Sequence, residues 1–372
     1  MHMDNHNKKP FDSKIATLPI FAVYMLVVTG IVIVSVVWST ALPKSDFAQD
    51  YLAACAVRDS LDPNLSTTKL AQIYGVPEVT ITSLQMTHPP LVTVVAMPFT
   101  SLSWKTAHVA WEIFLGIAVG ILLLIGRNCL LDTIFLSPVW CFGLAYGNID
   151  GIVICLIILA LSSQAPRTKA GIMLGLAAAL KVYPVFLILG WGVTRKYQQF
   201  LTAVCTGGIV TVAATMLLGS DSLLGWLRYI PRNGNYFAVS AFNISFSKAT
   251  IGLGLNNSIL LILGLGIVLL QVKKDSIEPL LAGMLLIAPT SWLQQLAILS
   301  NRLQVKELIG CCVCSLLIIS TQIFHISDAD FVGRWASSIL TCLVLIIYLR
   351  LFRTQKISLG PVLKSKKFAQ ME

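Results

Sequence analysis

The 372-residue chain is 56% hydrophobic and 12% charged, with a net charge of +10. A charged fraction about half that of a soluble globular protein leaves too little polar side chain to cover a water-facing surface, which excludes a soluble fold. It also turns the basic excess away from nucleic acid and toward cytoplasmic loops lying against anionic membrane lipid.

Apolar runs of about 20 residues match the length a helix needs to cross the hydrocarbon core. Backbone groups there must pair within their own segment, so the runs predict helices. The alternating pattern of an outer-membrane barrel is absent. No polar stretch is long enough for a soluble domain, and the chain reads as an all-α polytopic membrane protein. The nine cysteines lie almost all in apolar runs and read as small packing residues, including Cys311, Cys312 and Cys314.

In chain order, Lys8, Lys9 and Lys14 place an N-terminal arm, residues 1–14, in the cytoplasm. The run 15–38 is too long for a signal-peptide core and has no clean cleavage site, so it is the first span. Residues 39–103 form a long extracytoplasmic loop. In it Ser45 predicts the N-cap of a helix over 46–60, and the apolar run 91–102 is re-entrant or interfacial. Span 104–125 returns to Arg127, span 130–146 emerges at Gly147-Asn148-Ile149-Asp150, and span 152–161 leads back to Arg167 and Lys169.

Residues 170–193 are basic at both ends, with Arg195-Lys196 following, and are interrupted at Lys181-Val182-Tyr183-Pro184. With both ends inside, the run predicts two short helices meeting near the outer face and broken at Pro184. Such breaks are tolerated where they line a cavity. Span 200–218 goes out to a second extracytoplasmic loop, 219–257, and span 259–272 returns to Lys273-Lys274. Residues 280–300 repeat the interrupted pattern, with the break at Pro289-Thr290-Ser291-Trp292 and Arg302 and Lys306 beyond. Span 308–324 emerges at Asp328 and Asp330, and span 332–351 ends in a basic cytoplasmic tail, 353–372. This predicts one membrane domain, 15–352, of about twelve transmembrane helices, two pairs of them short and broken. The protein is multi-pass in an inner or plasma membrane with both termini cytoplasmic.

Under this topology Asp46, Asp50, His88, Asp150, Lys181, Arg228, Arg232, Asn243, Ser291, Gln294 and Gln295 all lie at or beyond the outer face. Lys181 stands out, because a charge at membrane depth costs roughly 2.5–3.5 kcal/mol and faces a partner or a water-filled cavity. A fixed cation there suits a phosphate.

Six segments, in order, carry a resemblance. Ser45-Asp46-Phe47-Ala48-Gln49-Asp50-Tyr51, with Arg58 to Pro63 after it, resembles the acidic first-loop motif of glycosyltransferase family 87. His88-Pro89-Pro90-Leu91 resembles that family's aromatic-Pro-Pro-Leu segment. Gly147-Asn148-Ile149-Asp150 is similar to its Gly-Gln-x-Asn turn, with the polar positions altered. The small-residue run from Ala170 to Lys181, then Pro184, is similar to its helix ending in Lys-Pro. Phe242-Asn243-Ile244-Ser245 and Ala288-Pro289-Thr290-Ser291-Trp292 resemble its Asn-Gln-Ser and Ser-Pro-x-Ser-Trp segments. Where the family usually has a His pair after the Trp, this chain has Gln294-Gln295.

The resemblance implies a GT-C fold. It also implies transfer of a hexose, with mannose expected, from a polyprenyl-phosphate sugar to a glycolipid or glycan acceptor at the extracytoplasmic face. Asp46 is by carry-over the general base. Lys181, with Arg228 or Arg232, clamps the phosphate. Asp50, His88, Asn243, Gln294 and Gln295 complete the expected binding set. A single carboxylate base without an enzyme nucleophile implies inversion. Retention would call on a second carboxylate about 5 Å away, for which Asp50 is one helical turn on. No cofactor and no metal are expected. Two alternatives remain open at this point: a transporter or flippase of a lipid-linked glycan, and a catalytically degenerate relative, the latter raised by the Gln pair.

Overall fold

The computed structural model describes residues 13–358 apart from 43, 82–86, 127–129, 163–164, 238–239, 241, 256–257, 271–276, 289–290, 301 and 324–328. Lys8, Lys9, Arg127, Pro289, Thr290, Lys273, Lys274, Asp328, Lys364, Lys366 and Lys367 therefore lie outside the described residues. Among those described, the secondary structure is helical, with two isolated bridges and no strand.

A long first helix, α1 (Ser13–Ala41), leads into loop helices α2 (Phe47–Arg58), α3 (Thr67–Tyr74) and α4 (Pro90–Ala96). The bundle continues with α5 (Trp104–Gly126), α6 (Leu130–Phe135), α7 (Ser137–Ala145), α8 (Asp150–Ala160), α9 (Arg167–Leu180), α10 (Val185–Val193) and α11 (Tyr197–Leu218). After α12 (Ser220–Phe237) and α13 (Ser247–Gly252) come α14 (Ser258–Leu270), α15 (Glu278–Ile287), α16 (Val305–Ile323) and α17 (Ala329–Ser358).

Four segments, Phe21–Thr40, Trp104–Ile125, Tyr197–Leu218 and Val332–Thr354, are long and apolar enough to cross a membrane. Their outer faces are apolar: Leu26 is 72% exposed and Met216 81%. Water would penalise such faces heavily, whereas lipid does not. The chain is an all-α membrane protein. Two of the shorter helices, α8 and α15, are largely buried in the bundle. In α8, nine of the eleven residues are buried. An eleven-residue helix spans roughly 16 Å, about half the hydrocarbon thickness. Surrounding protein rather than lipid covers its ends, which is how short and broken segments are accommodated at membrane depth.

Without a hydrophobic drive between helices in lipid, close packing of small residues brings them together. The α9–α11 contact is built this way. A Cβ on Gly175 would fall 2.6 Å from the Ala203 carbonyl oxygen and 2.9 Å from Thr206 Cβ, and one on Gly171 would fall 2.6 Å from Thr202 Cβ. Gly175→Leu is therefore expected to force α9 from α11 and to cost at least about 1–3 kcal/mol. It should show as a lower thermal unfolding temperature in detergent, and an unchanged temperature would contradict this packing.

The break in 170–193 falls where the sequence predicts it. Helix α9 stops at Leu180, Lys181 is extended (φ −150°, ψ 148°), and α10 resumes after Pro184. Three details differ from the sequence reading. The cap position of α2 is taken by Asp46 rather than Ser45, whose Oγ accepts from the Phe47 amide at 3.3 Å. The return leg of the second broken run is a seven-residue 3-10 turn, Leu293–Leu299, wholly buried. It tightens where both Gln side chains reach one carboxylate oxygen. Helix α17 continues through Arg353 to Ser358, because nothing in that stretch breaks its backbone pattern.

Candidate active site

The first acidic motif is held at both flanks. The Ser45 amide donates to the Thr80 carbonyl at 3.0 Å, and the Asp46 amide donates to the Tyr146 carbonyl at 2.7 Å. The second bond ties the loop to the turn after α7. In that turn Gly147 has φ +67°, and a Cβ there would meet Glu112 Oε1 at 2.9 Å and Ser45 Oγ at 3.1 Å, so only glycine fits. Trp111 Nε1 donates to the Gly147 carbonyl at 2.9 Å, and Phe47 stacks on Trp111 with ring centroids 4.5 Å apart. Aromatic packing from α5 thus fixes the residue next to Asp46.

The turn then delivers two polar side chains. Asn148 Nδ2 donates to Asp46 Oδ2 at 2.5 Å, while Asn148 Oδ1 accepts from the Asp150 amide at 2.9 Å. Asp150, the first residue of α8, is fully buried. Its Oδ2 accepts from Gln294 Nε2 at 3.0 Å and Gln295 Nε2 at 3.2 Å. Its Oδ1 lies 4.0 Å from Lys181 Nζ.

Lys181 links this cluster to the first loop. Its Nζ is 2.8 Å from His88 Nε2, and His88 Nδ1 is 2.9 and 2.8 Å from the two oxygens of Asp50. A carboxylate only accepts and an ammonium only donates, so the proton sits on Nδ1 and the Nε2 lone pair receives Lys181. Asp50 and His88 are both buried, and Thr87, just before His88, donates through its amide and hydroxyl to Gln49 Oε1 at 3.0 and 2.8 Å. The first loop and the α9–α10 break are therefore stitched together side chain to side chain.

Six of the predicted residues, Asp46, Asp50, His88, Lys181, Gln294 and Gln295, thus belong to one continuous network. Asn243 does not join it directly. It sits at the centre of a neighbouring knot, its Oδ1 accepting from the Ser245 amide (3.0 Å), Ser245 Oγ (2.9 Å) and the Ser291 amide (3.0 Å), its Nδ2 donating to Ser247 Oγ at 2.7 Å. Together with the Ile244 amide bond to the Ser291 carbonyl (2.7 Å), this fastens the 242–245 segment to the turn that presents Gln294 and Gln295. Arg228 is exposed on α12, two residues after Trp226, whose Nε1 donates to the Thr87 carbonyl at 3.1 Å. Arg232 lies on the same helix, and its side chain is outside the described residues.

Asn148 and Asp150 are the network residues that the predicted binding set leaves out. The altered Gly-Asn-Ile-Asp turn carries the signal for both. Some buried polar atoms at this place, Gln294 Oε1, Gln295 Oε1 and Ser291 Oγ, have no hydrogen-bond partner among the described residues. Buried acceptors left so are costly unless water or a ligand supplies donors, and a polyhydroxylated ligand does.

A carboxylate held by an amide, a lysine on a helix break and buried acceptors without a partner among the described residues, all within a bundle of apolar helices, form a membrane-protein site suited to a polar, hydroxyl-bearing ligand. The chain matches glycosyltransferase family 87 over residues 86–321, more than half its length, and belongs to that family. His88, Asn148, Asp150, Lys181, Asn243, Gln294 and Gln295 fall within the match; Asp46 and Asp50 precede it. No curated protein and no solved structure matches the chain. It is a membrane glycosyltransferase.

Proposed function

We propose that the chain transfers a hexose, with mannose the expected sugar, from a polyprenyl-phosphate donor to a hydroxyl of a glycolipid or glycan at the extracytoplasmic face of the inner or plasma membrane, with inversion. The observation that supports this reading is the polar path from Asp46 through the Asn148 side chain and Asp150 to Lys181, which joins a carboxylate and an ammonium in one network. Asp46 accepts the proton of the acceptor hydroxyl as that oxygen attacks C1. Lys181 holds the donor phosphate, its ammonium matching the single charge of a phosphodiester, so the step calls for no metal. The amides of Gln294 and Gln295 offer free acceptor oxygens to sugar hydroxyls. Asn243 supports them from behind, and exposed Arg228 on α12 meets the incoming headgroup. Asp50 is engaged by His88, which sets it against the part of a second, nucleophilic carboxylate and favours inversion. The basic flanks of the spans orient both termini to the cytoplasm.

The test is transfer by the full chain in nanodiscs from synthetic polyprenyl-phosphate hexoses to a panel of lipid-linked and soluble glycan acceptors, with product anomers assigned by NMR. An inverted glycoside and release of polyprenyl phosphate are expected. Transbilayer movement of lipid-linked glycan in proteoliposomes, with no sugar released from any donor, would establish a flippase instead. Absence of both activities would mark a degenerate relative.

A further inference from the structure

We infer that Asp150 is a charge-selecting residue: a fixed carboxylate beside Lys181 that tolerates a phosphodiester monoanion and expels the phosphomonoester dianion that transfer leaves behind. The inference rests on the donor reading proposed above.

Asp150 is fully buried and cannot swing aside. Its own amide is held by Asn148 Oδ1 at 2.9 Å, and its Oδ2 is held by two glutamine amides at 3.0 and 3.2 Å. Its remaining oxygen faces Lys181 at 4.0 Å, while Lys181 itself is drawn closer to His88, at 2.8 Å. Among the described residues, Lys181 thus has a buried carboxylate, Asp150, beside it as well as His88. A site built only to hold anions has no use for an acid next to its lysine. The resemblance places an Asn at this position and a His pair where Gln294 and Gln295 stand. In this chain the acid and the two amides that steady it occur together.

The reaction supplies the reason. Transfer breaks the bond between C1 and the phosphate oxygen and forms the bond from C1 to the acceptor oxygen. The acceptor proton moves to Asp46, and the bonding pair stays with the phosphate. The diester carried one negative charge, and the monoester released carries close to two above its second pKa of about 6. The added charge arises beside a buried carboxylate. At separations of about 5–6 Å and an effective dielectric of about 20, this repulsion weakens binding by on the order of a hundredfold. Asp150 thus opposes product more than donor and speeds release of the spent lipid.

The test uses the full chain in nanodiscs of zwitterionic lipid, with farnesyl phosphate and its methyl ester as probes at pH 8. These share one chain and differ by one charge. Wild-type protein is expected to bind the methyl ester at least as tightly as the monoester. Asp150→Asn should tighten monoester binding by on the order of a hundredfold more than it tightens the methyl ester. A wild-type preference for the monoester overturns the inference, as does an equal shift for both probes in the variant. Should Asp150→Asn fail to fold, the wild-type comparison decides alone. If wild-type protein binds neither probe, the donor reading falls and takes this inference with it. If it binds both and prefers the dianion, the inference falls by itself.

Discussion

Asp46→Asn is expected to lower the turnover number for sugar transfer by about 10²–10⁴-fold while leaving donor binding within a few-fold of wild type. The substitution is nearly isosteric and removes the negative charge, and with it the ability to take a proton. The surrounding geometry survives it. The residue 46 amide still donates to the Tyr146 carbonyl, and the Asn148 side chain, which donates to Asp46 Oδ2 at 2.5 Å, finds a carbonyl oxygen in the same place. Phe47 stays clamped between Trp104 and Trp111, with centroids at 5.9 and 4.5 Å, so the loop does not shift. Steady-state kinetics of purified protein, paired with direct donor binding, separates the two effects. Full transfer by the variant would remove Asp46 from the chemistry and return attention to Asp50.

The second large effect concerns Lys181. Lys181→Met keeps the length of the side chain and deletes its charge, and donor affinity is expected to fall about 100-fold or more, since a buried charge-assisted contact to phosphate is lost. The variant also has a folding cost. Asp150 is fully buried and would lose its cation, and removing one partner of a buried pair costs about 3–5 kcal/mol. The 4.0 Å separation puts this pair toward the lower end of that range. The two losses are separable by a double substitution. Lys181→Met with Asp150→Asn removes the stranded charge, so thermal stability should return toward wild type while donor binding stays lost. Recovery of both would mean that Lys181 only balances Asp150 and never meets a phosphate. Lys181→Arg is the informative conservative change. A planar guanidinium keeps the charge but does not reproduce the single point contact to His88 Nε2, and intermediate affinity is expected.

Much of this arrangement is legible in residues alone, for reasons that are local. A run of apolar residues interrupted by Lys181 and Pro184 has one reading in lipid, because proline removes a backbone donor and lysine demands a polar neighbour. Helices α9 and α10 part there. The six short motifs point to a family before any coordinate is known, and the family match over residues 86–321 agrees. What the residues do not show is who pairs with whom. His88 in front of two prolines reads equally well as an ordinary loop residue. Its place between Asp50 and Lys181 depends on α4 packing against both α2 and α9. Nor do the residues show Asn243 as the hub of a serine knot, which a bridge between residues 243 and 292 closes from a distance.

Asp150 shows the same division most clearly. In the linear chain it is an acid after an altered turn, which marks the position without showing its partners. Its weight comes from burial, from Gln294 and Gln295 arriving more than a hundred positions later, and from Lys181 across the helix break. The sequence by itself determined the solvent of this protein, its helical class and the positions where helices must break, since these follow from backbone hydrogen bonding and transfer cost residue by residue. Only the tertiary structure decided which acids face which cation. Electrostatic pairing depends on distances of a few ångströms between segments remote in the chain, and no local propensity encodes those.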